Sequence, residues 1–310
     1  MENTEILRKA DMVLSDLSAG GSLNPEQANK FIDMVQAAPT LLKSARVERM
    51  KARKQEVPKL GFANRIMRRA VENTALAEAD RSKPSMGKME LDTVELIAEV
   101  RLPYAALEDN VEGQSYEDHI MRLIAERAAL DIEEVVVQGD TGSLDEYLAS
   151  FDGVMKLAGH TVDAQGALID KALWKKLVAA VPAKYFRNRK EWRLYTSPNN
   201  ELNWREKLSD RATGAGDRFL LEDVPAVAFG IPVEPLAMIP EVASGTPEVT
   251  QTSALLTHPQ NIVVGFHRDI SVESDKVITS RQYIIVVTCR VGVALEEADA
   301  TAKMTNIKVS

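Results

Sequence analysis

Four histidines (His119, His160, His258 and His267) and one cysteine (Cys289) are the side chains of this 310-residue sequence best suited to hold a transition metal. Zinc needs three or four such ligands at short, matched spacings. The histidines share no such spacing and one thiol makes no cluster, so no metal centre is expected. Covalent hydrolysis needs a serine on a glycine-flanked elbow; Ser143, Ser197 and Ser253 lack the glycines. Acid–base work needs carboxylates that converge on one bond. The pairs Glu108-Asp109 and Glu133-Glu134 are adjacent, so on regular structure they point apart, and they read as solvated surface. The stretch Asp210-Arg211-Ala212-Thr213-Gly214-Ala215-Gly216-Asp217 lacks the full dinucleotide fingerprint and any Walker lysine, and reads as a loop. Trp174, Trp192, Trp204, Tyr185 and Tyr195 could stack on bases, but aromatics scattered through an α/β region read as core anchors. No catalytic, cofactor-binding or metal-binding residue is assigned, no cofactor is expected, and the chain is not expected to be an enzyme. An enzyme built on the α/β middle would need a convergent site, and none is visible.

The composition is that of a soluble globular protein, 45% hydrophobic and 27% charged. The most apolar run, Tyr283 to Leu295, is short and broken by Arg290, which excludes a helical membrane span. Cys289 lies in that run and reads as a buried small hydrophobe. The N-terminus is acidic and lacks the basic flank and apolar block of a secretory signal, so the chain is expected to stay in the cytoplasm where it is made. The net charge of −8 argues against a surface built as a glove for nucleic acid. It is unevenly spread. Between Lys43 and Arg69 lie ten basic residues against Glu48 and Glu56, a local surplus of +8 that leaves −16 for the remainder. Such a chain carries its own opposite-sign partner, which suits head-to-tail association of identical subunits at least as well as an outside polyanion.

The elements that would position these residues read as follows. Glu2 to Leu17 is a short amphipathic helix; Asn24-Pro25 caps and opens a second one that ends near Pro39. Neither can bury itself, so both are expected to dock on another part of the protein or on a neighbour. From Val57 the period becomes two, with Leu60, Phe62, Asn64 and Ile66 alternating with a basic face. A return run from Met89 to Leu102 has a mostly acidic face. Together they predict a long, projecting two-stranded hairpin around the turn-rich stretch Glu72 to Gly87, which needs support from a third surface. A capping-box-like start at Ser115 opens the strongest helix, with Ile120, Leu123, Ile124, Ala128, Ile132 and Val135 on one side and Arg122, Glu126, Glu133 and Glu134 on the other, stopped at Gly139. A helix over Asp170 to Val181 turns Leu173, Leu177 and Ala180 inward, and the end of the chain is β.

This order resembles the coat-protein fold shared by tailed bacteriophages and herpesviruses. Motifs similar to those of phage major capsid proteins are Gly21-Ser22-Leu23-Asn24-Pro25-Glu26-Gln27-Ala28 with Phe31-Ile32, Arg46-Val47-Glu48-Arg49-Met50, Val100-Arg101-Leu102-Pro103-Tyr104-Ala105-Ala106-Leu107-Glu108-Asp109-Asn110, and Arg290-Val291-Gly292-Val293-Ala294-Leu295. Arg211-Ala212-Thr213-Gly214-Ala215-Gly216-Asp217 and Phe229-Gly230-Ile231-Pro232-Val233 add to them. The resemblance implies an α+β, Hong Kong 97-like fold: an N-terminal arm at 1–56, an extended hairpin loop (E-loop) at 57–103, a peripheral domain with its spine helix at 104–149, an axial domain at 150–260, and a return to the peripheral domain at 261–310.

It further implies a major capsid protein of a tailed phage, assembling itself as hexamers and pentamers into an icosahedral shell around double-stranded DNA held without sequence specificity. The expected location is the virion, after procapsid assembly in the host cytoplasm, with no membrane involved. Because the arm-like sequence starts near Met1, a separate scaffolding protein is expected, with a portal and a decoration protein as further partners. Some members join a loop lysine to an asparagine; Lys83 and Lys88 lie in the hairpin, but that bond needs an acid alongside in space. Deleting Thr74 to Gly87 is expected to leave a foldable subunit that closes no shells. The alternative on the same fold is an encapsulin-type nanocompartment shell, and a different class is a nucleic-acid-binding protein using Lys43 to Arg69.

Overall fold

A computed structural model of the chain describes residues 40–61, 66, 67, 69, 85–103, 114–210, 225–244, 249–267, 271–277 and 279–309. Its helices are α1 (Thr40–Ser44), α2 (Gln114–Gln138), α3 (Val154–Leu157), α4 (Lys171–Ala180) and α5 (Pro198–Ser209). Its strands are β1 (Arg46–Met50), β2 (Lys54–Gly61), β3 (Ser85–Asp92), β4 (Val94–Pro103), β5 (His160–Asp163), β6 (Arg193–Thr196), β7 (Val227–Ala228), β8 (Ile231–Pro235), β9 (Val242–Ser244), β10 (Val249–Thr257), β11 (Ile262–His267), β12 (Ser271–Val277), β13 (Gln282–Leu295) and β14 (Ala302–Lys308).

The 14-residue β13 organises the first sheet. Its alternation puts Tyr283, Ile285, Val287, Cys289 and Val291 on a buried face and leaves Ile284, Val286, Thr288 and Arg290 half-exposed. One edge takes β4, antiparallel from Gln282↔Pro103 to Val291↔Val94. The other edge takes β12 and then β11, with β1 added parallel to β11. Against the buried face packs α2, through Ala129, Ile132, Val135 and Val136 at spacings of three, three and one, a stripe on one side of the helix. Gly139 stops α2 as expected. A Cβ there would collide with the Phe151 carbonyl, and the backbone passes on through Gly139 N–H to Val135 O (2.9 Å) and Gly153 N–H to Gly139 O (2.8 Å).

The second sheet runs β5-β14-β10-β6-β8-β7, with β9 also on β10. On one face α4 and α5 bury Trp174, Leu177, Trp204 and Leu208 against Leu194, Leu256 and Met304, the two indoles meeting edge-on at 6.2 Å. Asp170 caps α4 by accepting the Leu173 N–H at 2.7 Å, and Ser197 caps α5 ahead of Pro198. Tyr195, Leu236, Ile239 and Leu255 belong to the other core, which they share with α1, α2 and β13. Gln138 Nε2 donates to Met238 O at 2.6 Å across the same junction.

Four expectations change. The helices over 2–17 and toward Pro39 lie outside the described residues, but residues 40–50, expected in a loose arm, are built into the body: Leu41, Leu42 and Met50 are buried and β1 is paired. The return run is two strands. Thr93 is fully buried and exchanges bonds with Arg53 (Thr93 N–H and Oγ1 to Arg53 O, both 3.0 Å), so β3 pairs with β2 while β4 leaves the hairpin for β13. The hairpin thus starts at Lys54 and ends at Asp92. Third, β14 does not rejoin the sheet of β13, where residues 261–310 were expected; it fills the gap between β5 and β10, its Ala302, Met304 and Ile307 completing the core over α4. Fourth, Leu123 is 49% exposed, because the apolar stripe meets the sheet only farther along α2.

Candidate assembly surfaces

The hairpin β2–β3 packs on the rest of the subunit at its root. Its register runs from Lys54↔Asp92 to Gly61↔Ser85. Val57, Met89 and Leu91 pack with Met50, Val263 and Ala294 into a small separate core. Two glycines make this possible. Gly265 and Gly292 face each other across β11 and β13; a Cβ at Gly292 would collide with the Asp92 carbonyl, and one at Gly265 would lie 2.5 Å from Met50 Sδ and 2.6 Å from Leu91 Cδ2. The missing side chains let the hairpin cross the sheet in close contact. Exposed charge pairs add to the ladder, Lys54 Nζ to Asp92 at 2.7 Å at the root and Lys88 Nζ to Glu56 at 2.5 Å farther along, the latter bond raising the Lys88 pKa, and Lys59 Nζ reaches Glu297 of the body at 3.5 Å. Exposed pairs of this kind add little stability. Beyond the described end of β2, Ile66 and Met67 are 51% and 78% exposed.

At the other flank, α1 marks where the N-terminal segment joins the body. Glu133, expected on the solvated side of α2, is 3% exposed and accepts the Leu41 N–H at 2.6 Å. This corrects the reading of Glu133-Glu134 as a surface pair. A carboxylate at the first turn of a helix meets free N–H groups and the positive end of the dipole. The available signal was phase, since Glu133 is four residues after Ala129 and three before Val136, on the buried stripe. The far end of α1 is held by Ser44 Oγ and Tyr195 Oη at 3.1 Å and by Gln260 Nε2 donating to Ser44 O at 3.1 Å. Burial pushes the Tyr195 phenol up to about 12.

The basic segment is partly consumed within the subunit. Arg46 pairs with Glu48 (2.5 Å) and Glu296 (3.5 Å), Arg53 and Lys54 with Asp92 (3.8 and 2.7 Å), and Lys59 with Glu297 (3.5 Å). Arg65 and Arg68 lie outside the described residues; Lys43, Lys51 and Arg69 are exposed.

The residues weighed for chemistry lie apart. His160 is on β5, His258 follows β10 and accepts the Gln260 N–H at 3.2 Å, and His267 ends β11 beside Arg290 at 3.4 Å; the His119 side chain lies outside what is described. Among the described residues, no three His, Cys, Asp or Glu side chains gather around a metal position. Ser143 Oγ accepts the Asp145 N–H, Ser197 is a helix cap, and Ser253 lies on β10. Trp174, Trp192, Trp204 and Tyr195 are buried anchors; Tyr185 is half-buried with the Lys184 ammonium 4.6 Å above its ring. Cys289 is buried, and desolvation pushes its thiol up to about 12. Glu108-Asp109 and residues 211–217 lie outside the described residues.

Residues 19–306 match the model of the phage capsid family. The chain belongs to that family. It is 43% identical over 311 residues, 99% of this chain and all of the relative, to the putative prophage capsid protein YqbE of Bacillus subtilis (strain 168). Among solved structures it resembles a subunit of the satellite phage P4 procapsid that includes the size determination (Sid) protein, with TM-score 0.70 and 10% identity over 100% of this chain and 99% of that one. It also resembles the SrpI encapsulin of Synechococcus elongatus PCC 7942, with TM-score 0.59 and 11% identity over 87% and 88% of the two chains. The capsid protein therefore has the α+β, Hong Kong 97-like fold, and the identity to a prophage capsid protein favours phage over nanocompartment. It is a major capsid protein, a component of the virion built from copies of itself. The hairpin and the exposed cations Lys43, Lys51 and Arg69 are surfaces of a shell subunit.

Proposed function

We propose that this capsid protein assembles as hexamers and pentamers into the icosahedral head of a tailed phage, holding double-stranded DNA without sequence specificity and performing no catalysis. Assembly takes place in the host cytoplasm with a separate scaffolding protein and a portal, and a decoration protein binds the finished shell. The observation that carries this reading is the hairpin β2–β3, whose described residues pack on their own subunit through a small apolar root and the Lys59–Glu297 ion pair and otherwise carry exposed charge pairs. A two-stranded ribbon is marginal by itself; laid across a neighbour it gains the third surface it lacks. In this reading residues 1–39 form the arm, 54–92 the extended loop, the sheet of β13 with α2 the peripheral domain, and the sheet of β10, completed by β14, the axial domain.

The test replaces residues 62–84 by a short glycine-serine linker that keeps the hairpin root. The variant is expected to fold with an unchanged circular dichroism spectrum and to form no closed particles in electron micrographs when co-expressed with its neighbouring genes. Closed shells of normal size from that variant would overturn the proposal. Nuclease-protected DNA inside wild-type particles separates a phage head from an encapsulin, which would hold an enzyme cargo instead.

A further inference from the structure

Residues 171–190 hold seven cations and no aspartate or glutamate, a surplus of +7 in a chain whose net charge is −8. The apolar side of this run faces inward. Leu173, Trp174, Leu177 and Val181 are buried in the core of the second sheet, with Tyr185 and Phe186 packed against it. The cations are left on the outer side of that layer: Lys171, Lys175 and Lys176 are exposed on α4, and Lys184, Arg187, Arg189 and Lys190 on the turns that follow it. None of the seven forms an ion pair among the described residues. The two acids that flank the run are engaged. Asp170 caps α4, and Glu191 accepts from Asn188 Nδ2 at 2.7 Å and lies 3.6 Å from His258 Nε2. The next cation, Arg193, is neutralised by Glu234 at 2.6 Å.

Two of the seven are steadied without being neutralised. The Lys184 ammonium lies 4.6 Å above the Tyr185 ring and the Arg189 guanidinium 5.9 Å from the Phe186 ring. A cation held over a ring keeps its charge for an outside anion, unlike one in an ion pair. A surface this basic with no apolar centre fits a phosphate backbone better than a protein. Protein interfaces need a buried apolar or aromatic core inside their polar rim, and among the described residues no exposed large hydrophobic side chain lies in 171–190. A duplex presents one negative charge per ~1.7 Å, and Lys and Arg contacts to it fix position without reading sequence. The segment 43–69 differs, because Arg46, Arg53, Lys54 and Lys59 already have carboxylate partners in the same chain.

We propose that the outer face of α4 and the turns up to Lys190 is the surface through which the shell holds its DNA, binding phosphates of the duplex, so that this side of the second sheet lines the inner wall. This rests on the shell reading above and names the residues that meet the DNA, in place of the segment Lys43 to Arg69.

The test compares DNA-filled wild-type particles with the same particles emptied by osmotic shock and nuclease. Both are treated with N-hydroxysuccinimidyl acetate, and acetylation of each lysine is read by mass spectrometry. Lys171, Lys175, Lys176 and Lys190 are expected to react about threefold or more slowly in the filled particles, with Lys43 and Lys51 unchanged. Equal rates in the two preparations overturn the proposal. So does protection of the four lysines in both, which would assign them to a neighbouring copy, or protection of Lys43 and Lys51 alone in the filled particles, which would return the DNA to the earlier segment. A second measurement titrates the unassembled subunit with a random-sequence DNA duplex at several salt concentrations. K175Q/K176Q/R187Q/R189Q exchanges only exposed side chains and is expected to flatten the slope of log affinity against log salt by roughly 3.6, four phosphate contacts at about 0.9 each. A slope equal to that of the wild type sinks the proposal. Wild-type particles that hold no nuclease-protected DNA would sink the shell reading itself, whatever the duplex titration gives.

Discussion

Replacing Glu133 with alanine isolates the clasp that holds α1. The wild-type carboxylate is buried and accepts the Leu41 N–H at 2.6 Å. A hydrogen bond to a charged group contributes about 1.5–3 kcal/mol, and each ~1.4 kcal/mol is a factor of ten, so α1 in E133A should open about 10 to 150 times more often. Lys43 is exposed within α1, and trypsin cleaves after it only when the helix unravels. At low protease the cleavage rate follows the open population. Limited trypsinolysis of the assembled particles, read by mass spectrometry at the Lys43–Ser44 bond, should therefore accelerate by that factor. E133Q keeps an acceptor oxygen without the charge; a neutral bond contributes about 0.5–1.5 kcal/mol, which places its rate between the other two. An E133A rate within twofold of wild type, or E133Q cut faster than E133A, would refute the reasoning.

Three further outcomes follow from the same structure. G292A drives a Cβ into the Asp92 carbonyl and should lower stability by about 3 kcal/mol or more, whereas G265A meets only the movable Met50 and Leu91 side chains and should cost about 1–2 kcal/mol; urea midpoints and soluble yields rank the two. Cys289, with its thiol pushed up to about 12, should resist iodoacetamide at pH 8 in the folded subunit and react within minutes in 8 M urea; rapid labelling of folded protein would contradict its burial. Asp163 has its pKa held down, first by the Gln165 N–H and then by the Asn306 amide. A depressed folded pKa gives stability that is complete above the unfolded value near ~3.9 and is lost as pH falls through the folded one. The urea midpoint should thus fall more between about pH 5 and pH 3 in the wild type than in D163N, and equal slopes would remove Asp163 from the account.

Much of this protein was legible along the chain because the signals are local. Tyr283 to Leu295 reads as β with Cys289 inside, Gly139 ended α2, the helix expected from Asp170 formed, and the tryptophans proved to be core, whereas the helix from Pro198 was not read from the sequence. The order of motifs carried the family. What failed was long-range. Periodicity gives the same alternation for β3 and β4, but it does not say that Thr93 turns one toward β2 and the other toward β13. The end of the chain reads as β near Asn306 to Val309, yet the strand starts at Ala302 and its sheet is chosen by an open slot between β5 and β10.

The sequence by itself determined the long helix to Gly139, the helix from Asp170, the β character of the hairpin and of the closing segment, and that charge is segregated along the chain, because each depends on neighbours a few residues away. Only the tertiary structure decided that Glu133 is a buried clasp instead of a surface acid, that Gly265 and Gly292 must meet beneath the hairpin, and that Leu144 remains uncovered. Those properties depend on what lies opposite in space: a helix terminus, a crossing backbone, or nothing. A carboxylate, a glycine and a leucine carry no mark along the chain of which of these they will face.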